Sequence, residues 1–312
     1  MYKLFFILPV LFFTSAHAGT KDEAKTEAID LSLSLSVLSK HHELEFLDNA
    51  LENYLIFKPN NAYIVKTVIS YKNHDFLIES DELLDTGDDD SKGESMYLNL
   101  EYAKFIDQNK ARVYYEKYDG FYVSGQQAPA GNYFVFEDIN TKRYGLELTR
   151  YSKKPRLRHI NNGYQNIPKK RFWTAAYGLL FDVSYINNIP SDPTILSQIN
   201  KSELLFFNDL KLITLSPFAG LLGRYSTNGY YIESGLNLGY GLQIRELKLN
   251  GITENENDYT LTGSLFLSLG KEFSDHDHLG ISFQADSVEP SIGNNEFSIA
   301  TLSTSLFYSI SF

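Results

Sequence analysis

The chain has 312 residues, with 28 Lys and Arg against 39 Asp and Glu, a formal net charge of −11. That balance excludes a nucleic-acid partner, because phosphate binding needs concentrated basic side chains, and it excludes adhesion to anionic lipid through a basic patch. The absence of cysteine excludes a disulfide scaffold, thiol catalysis and cysteine–metal sites.

Met1–Lys3 carries one positive charge, Leu4–Phe13 is a short apolar run, and Ala16-His17-Ala18 offers small residues where a signal peptidase reads. This order predicts a cleaved signal peptide over residues 1–18 and export through it. Residues 19–52 are expected to form a periplasmic N-terminal extension, helical or partly disordered. There Lys21–Ala28 is polar, and Leu31, Leu33, Leu35 and Val37 alternate.

From residue 53 to 312 the pattern changes to segments of period two, rich in Tyr and Phe, which together with the one Trp make 14% of the chain. No stretch beyond the signal has eighteen apolar residues in a row, so no helix spans a membrane. The expected fold class is all-β: a transmembrane antiparallel β-barrel of about twelve strands ending in a C-terminal Phe. Candidate strands run near 53–58, 62–72, 75–83, 95–106, 110–123, 142–152, 171–186, 212–225, 230–247, 258–273, 278–288 and 296–312. In the last, Leu302, Leu306, Tyr308, Ile310 and Phe312 oppose Thr301, Ser303, Ser305, Ser309 and Ser311, as a strand between lipid and a wet lumen requires. A periplasmic β-sandwich also alternates. The ending Tyr308-x-Ile310-x-Phe312 favours the barrel, being of the kind by which such proteins are recognised for insertion. Short connections at Asp107–Asn109, Ser226–Gly229 and Ser274–Asp277 are expected in the periplasm. Longer ones at Leu84–Glu94, Ser124–Thr141, Asn187–Lys211 and Lys248–Asn257 are expected outside, while the basic stretch Lys153–Lys170 breaks this asymmetry. The expected location is thus the outer membrane of a Gram-negative bacterium, with membrane lipid and the barrel-insertion machinery as partners.

Several motifs carry a resemblance: Tyr54–Asn60 (YLIFKPN), Val68–Lys72 (VISYK), Lys117–Tyr122 (KYDGFY), Tyr144–Tyr151 (YGLELTRY) and Gly235–Gly241 (GLNLGYG). Over residues 50–312 the chain resembles an uncharacterised group of predicted barrels, domain-of-unknown-function family 4421. The resemblance implies a barrel and supplies no activity. The chain departs from the family pattern between Tyr151 and Phe172, where a Lys/Arg run stands.

Chemistry-bearing clusters are few. Asp275, His276, Asp277 and His278 could bind a metal or activate water, but Asp and His commonly solvate a short turn, and the cluster reads first as that. Asp85–Asp90 with Glu94 lacks EF-hand spacing and reads as an acidic loop. His41-His42 is isolated, and His74 and His159 lie near turns with no Ser/His pair on one strand face. No cofactor is expected. Alternation instead turns Glu79, Glu101, Arg112, Glu116, Glu147, Arg224, Glu233 and Arg245 inward as candidate lumen-lining residues. They serve either a narrow pore or a closed salt-bridged interior. The function expected is binding or passage of a small solute. A hydrolase acting on lipid or peptide and a structural or surface-interaction barrel are the alternatives.

Overall fold

Period-two alternation puts one side chain in lipid and the next in the lumen, and the strands follow it. The computed structural model describes residues 31–48, 53–61, 63–82, 90–123, 133–153, 171–189, 208–249, 252–274, 277–289, 291–292 and 295–312. Its strands are β1 (Leu31–Asp48), β2 (Asn53–Lys58), β3 (Ile64–Tyr71), β4 (His74–Ser80), β5 (Met96–Ile106), β6 (Asn109–Val123) and β7 (Phe134–Tyr151). They continue with β8 (Phe172–Asn187), β9 (Asp209–Thr227), β10 (Tyr230–Leu249), β11 (Ile252–Glu272), β12 (Asp277–Glu289), β13 (Ser291–Ile292) and β14 (Asn295–Ser311).

Twelve of these make the wall: β1, then β3 through β12, then β14. β14 pairs back onto β1 from Ser32–Ser311 to Asp48–Asn295, closing the cylinder. Closure leaves no unpaired edge in hydrocarbon, the condition any membrane-spanning sheet must meet.

Membership of the wall differs from expectation at its start. Residues 31–48, read as part of a periplasmic extension, are a full wall strand. Its serines Ser32, Ser34 and Ser36 are buried in the lumen, while Leu35 and Val37 are exposed outside. The physical reason is the free edge of β14: β12 and β13 pair with one side of it, and β1 satisfies the other. Residues 53–58 form the expected strand, but a short one that enters the wall only at the loop end, between β1 and β6. β1 holds β3 along Leu31–Leu38 and β2 along Leu44–Asp48, and β2 also meets β6 at Phe57–Val123 and Lys58–Tyr122. The short β2 therefore bridges β1 and β6 above the short β3–β4 hairpin. β7 also starts at Phe134, eight residues before the expected 142, and takes in part of the expected outer loop. The signal region, residues 19–30, Asp85–Asp89 and His159 lie outside the described residues.

Two-residue turns at Lys72–Asn73, Asp107–Gln108 and Asn228–Gly229 share one end of the barrel with Leu31 and Phe312, whose N–H donates to Leu31 O at 2.9 Å. We term this the turn end and its opposite the loop end. Asn228 and Gly229 both take positive φ (51° and 77°), the left-handed pair that a tight hairpin with right-handed twist demands. Gly120 (φ 75°) sits at a register shift in β6, where a Cβ would come within 2.1 Å of Glu94 O. The shift turns both Phe121 and Val123 inward.

Outside, leucines and isoleucines such as Leu236, Leu238, Leu265, Leu302 and Leu306 are exposed. Trp173, Tyr225, Tyr230 and Phe273 ring them at the turn end. Farther up stand Tyr240 and Tyr259, stacked at 5.5 Å, and the Tyr115–Tyr144 pair at 5.0 Å. From Tyr230 to Tyr240 a strand tilted about 40° climbs about 25 Å, the height of an outer-membrane hydrocarbon band.

Candidate functional site

The lumen is layered. At the loop end the inward positions are apolar: Leu44 and Phe46 of β1, Phe57 of β2, Phe121 of β6, Ile139 of β7, Leu210 of β9 and Phe297 of β14 pack into one buried cluster. Phe46 meets Phe57 edge-on at 5.8 Å and Phe297 at 4.7 Å. This stopper fills the space that the β2 bridge narrows. At the turn end a second group gathers Tyr151, Ala176, Leu222 and Phe266.

Between them lies a cavity of about 230 Å³ lined by five basic side chains (Lys40, Lys66, Lys110, Arg112, Arg143) and five acidic ones (Glu79, Glu101, Glu116, Glu147, Asp286). The charged groups are not spread evenly. All but Asp286 belong to β1 and β3–β7, whereas β10, β11, β12 and β14 present Asn237, Thr262, Ser264, Ser282, Thr301, Ser303 and Ser305. One wall is ionic, the other hydroxylic.

The ionic wall is paired throughout. Lys40 Nζ lies 2.8 Å from Glu116 and 3.4 Å from Glu79, and it also donates to the Tyr97 hydroxyl and sits over that ring. Glu79 further accepts from Tyr97 at 2.6 Å and Asn99 at 3.2 Å, and pairs with Lys66 at 3.3 Å. Arg112 spans Glu147 (2.8 Å) and Glu101 (3.5 Å), with Lys110 3.7 Å from Glu147. Arg143 holds Asp182 at 2.6 Å, just behind the lining. Low exposure and mutual pairing satisfy the rule that buried charge must be compensated.

Of the eight residues expected inside, Glu79, Glu101, Arg112, Glu116 and Glu147 lie together on this wall. Arg224, Glu233 and Arg245 do not line the cavity. Arg224 and Glu233 are buried near the turn end, 3.7 Å apart, with Glu272 at 2.5 Å from Arg224. Arg245 is buried beside Asp258 (2.7 Å) and Glu256 (3.7 Å). Of the candidate metal group, Asp275 and His276 lie outside the described residues. Asp277 exchanges hydrogen bonds with Ser274 and accepts from the Tyr308 hydroxyl, and His278 is buried with its ring 6.5 Å from that of Tyr231. No group of three metal-ligating side chains occurs among the described residues.

Sequence reasoning missed Lys40 and His42, because their strand was assigned to the extension. The available signal was parity: both continue the inward series Ser32, Ser34, Ser36. His42 stacks on Tyr118 at 4.1 Å, and its Nδ1 lies 3.0 Å from Thr301 Oγ1. Its Nε2 meets no hydrogen-bond partner among the described residues, so the pair lacks the orienting group that an activated hydroxyl needs.

A closed antiparallel barrel with an aromatic-ringed apolar exterior and a polar lumen is an outer-membrane barrel, and its place is the outer membrane. No family model matches the chain, and no curated protein matches it. Among solved structures it is similar to the outer-membrane protease OmpT from Escherichia coli (10% identity over 92% of this chain and 98% of that one, TM-score 0.43). It is also similar to the translocator domain of the autotransporter NalP from Neisseria meningitidis (12% identity, 98% and 94% coverage, TM-score 0.43). A third is the Pseudomonas putida toluene transporter TodX (7% identity, 92% and 90% coverage, TM-score 0.34). The fold assignment rests on the closed strand register, not on these likenesses.

Proposed function

We propose that the protein binds a small polar solute in the lumen and passes it when the loop-end stopper yields. The observation that carries this reading is the cavity itself, held between two apolar layers and lined by opposed ionic and hydroxylic walls. Its volume falls below the ~300–1,000 Å³ of drug-sized pockets, so the solute is small. The reading includes export through a cleaved signal peptide ending at Ala18 and placement by the barrel-insertion machinery in a Gram-negative outer membrane, turn end in the periplasm. The apolar run before Ala16-His17-Ala18 and the Tyr308-x-Ile310-x-Phe312 ending support it. Membership of domain-of-unknown-function family 4421 belongs to the same proposal. It is supported by Val68–Lys72, which runs along β3 into its turn, and by Gly235–Gly241, which runs along β10.

The test is single-channel recording of the refolded chain in planar bilayers, beside a Phe46→Ala/Phe297→Ala variant with a trimmed stopper. Rare or no steps in the wild type and discrete steps in the variant are the expected result. Protein shown to be inserted that neither conducts in either form nor binds any polar solute would leave a structural barrel.

A further inference from the structure

The pairing of the lumen charges leaves a remainder. Lys40, Lys66, Lys110, Arg112 and Arg143 are matched by Glu79, Glu101, Glu116, Glu147 and Asp182, five against five, every cation with a carboxylate within 4 Å. Asp286 stands outside that account. It lines the cavity from the hydroxylic wall, takes a hydrogen bond from Gln284 at 2.7 Å, and has no cation within 4 Å among the described residues. The charges of Arg143, Arg112 and Lys40 reach it from across the lumen, but none forms an ion pair with it, and a buried carboxylate held only by distant charge is incompletely compensated.

The surroundings of Asp286 specify what fits. Register places Ser264 of β11 on one side of it and Thr301 of β14 on the other. Cross-strand neighbours stand about 5 Å apart. Ser264 Oγ already accepts from Asn237 at 3.2 Å and Thr301 Oγ1 lies 3.0 Å from His42 Nδ1, and each hydroxyl oxygen has a second lone pair with which to accept from one small group beside the carboxylate. An ammonium has three N–H donors and no acceptor, which a carboxylate and two hydroxyls satisfy. One inward step away, Phe266 is paired with Gln284, and its ring belongs to the apolar layer at the turn-end side of the cavity. That gives the rest of the molecule an apolar or aromatic contact, which a bare metal ion does not use.

Resting on the solute reading above, we propose that this cavity takes a small organic monocation, a primary amine on a short carbon chain, its ammonium held by Asp286 between Ser264 and Thr301. The amine completes the charge balance of the lumen. Arg143, Arg112 and Lys40 of the facing wall still act on this position, and the carboxylate that each of them pairs with offsets part of their repulsion of the amine.

Calorimetric titration of the refolded full chain in detergent micelles tests this, with ethanolamine as probe, ethylene glycol as its neutral counterpart and glycolate as the anionic one. Ethanolamine should bind, and the other two should bind about tenfold more weakly or worse, the scale of one charge-assisted hydrogen bond. Asp286→Asn should bring ethanolamine down to the level of ethylene glycol, and Asp286→Glu should keep most of its affinity. Glycolate or ethylene glycol binding as tightly as ethanolamine to the wild type would overturn the amine inference while leaving the solute chamber standing. The same holds if potassium chloride displaces ethanolamine more effectively than choline chloride does at equal ionic strength. That comparison needs no variant, so a misfolded Asp286→Asn does not blunt it. Wild-type affinity persisting in folded Asp286→Asn would overturn the assignment to Asp286. No binding of any probe, together with no conductance, would remove both proposals.

Discussion

Replacing Lys40 by Met isolates the energetic weight of the ionic wall. Lys40 is the shared cation of Glu116 at 2.8 Å and Glu79 at 3.4 Å, and the three side chains are at most 14% exposed. After Lys40→Met, Glu79 keeps Lys66 at 3.3 Å, but Glu116 has no cation within 4 Å among the described residues. A pair about 4 Å apart at an effective dielectric near 20 is worth about 4 kcal/mol. Breaking a buried pair from one side costs about 3–5 kcal/mol, because the abandoned charge stays buried. Lys40→Met should therefore lose about 3–5 kcal/mol, and Lys40→Met/Glu116→Gln, which removes both charges, should recover at least half of it. Urea unfolding from lipid vesicles measures this, with Trp173 as reporter: it is the only Trp in the chain and 59% exposed on the outer surface. A loss below about 1 kcal/mol for the single variant, or a double variant no more stable than the single, would refute the reasoning.

Two further predictions use the same assay. Gly229→Val forces a β-branched residue to φ 77° in the β9–β10 turn and should cost about 1–2 kcal/mol, whereas Asn228→Gly should stay within about 0.5 kcal/mol. Val37→Arg places a charge on the outer face of β1, six residues from Leu31 and hence about 15 Å up a band about 25 Å tall; it should cost about 2–4 kcal/mol. If residues 31–48 were a periplasmic extension, Val37→Arg would be silent.

Most of the wall was legible because its signal is local. Along β10, Tyr230, Ile232, Leu236 and Leu238 alternate with Glu233, Gly235 and Asn237, and nothing distant is needed to read a strand between lipid and lumen. The number of wall strands was legible too, yet its first member was not. Leu31–Val37 and Tyr54–Phe57 are both short apolar-rich stretches, and only closure against β14, some 260 residues away, makes one a full wall strand and the other a bridge. The same holds for the site. Parity alone turned Glu79, Glu101, Arg112, Glu116 and Glu147 inward, but their partners are set by the curvature of the barrel: Lys40 meets Glu79 at a separation of 39 residues and Glu116 at 76. His42 finds Thr301 across 259.

The asymmetry of the lumen separates a filled interior from a working one. A barrel that only needs to be full is served by apolar side chains, as the loop-end stopper is, and replacing buried ion networks by such residues is often neutral or stabilising. Here the ionic wall stops at the cavity, and the strands facing it line that cavity with small hydroxyl side chains. A network whose sole task was to lock strand register would close on itself across the lumen. This one balances along one side and leaves Asp286 unmatched on the other, so the gap between the walls is where charge and hydrogen bonding remain to be completed. The Lys40 double variant and the Asp286 titration then address different halves of one question. If stability recovers when Lys40 and Glu116 are neutralised together while amine binding persists, the ionic wall is scaffold and the hydroxylic wall is the site.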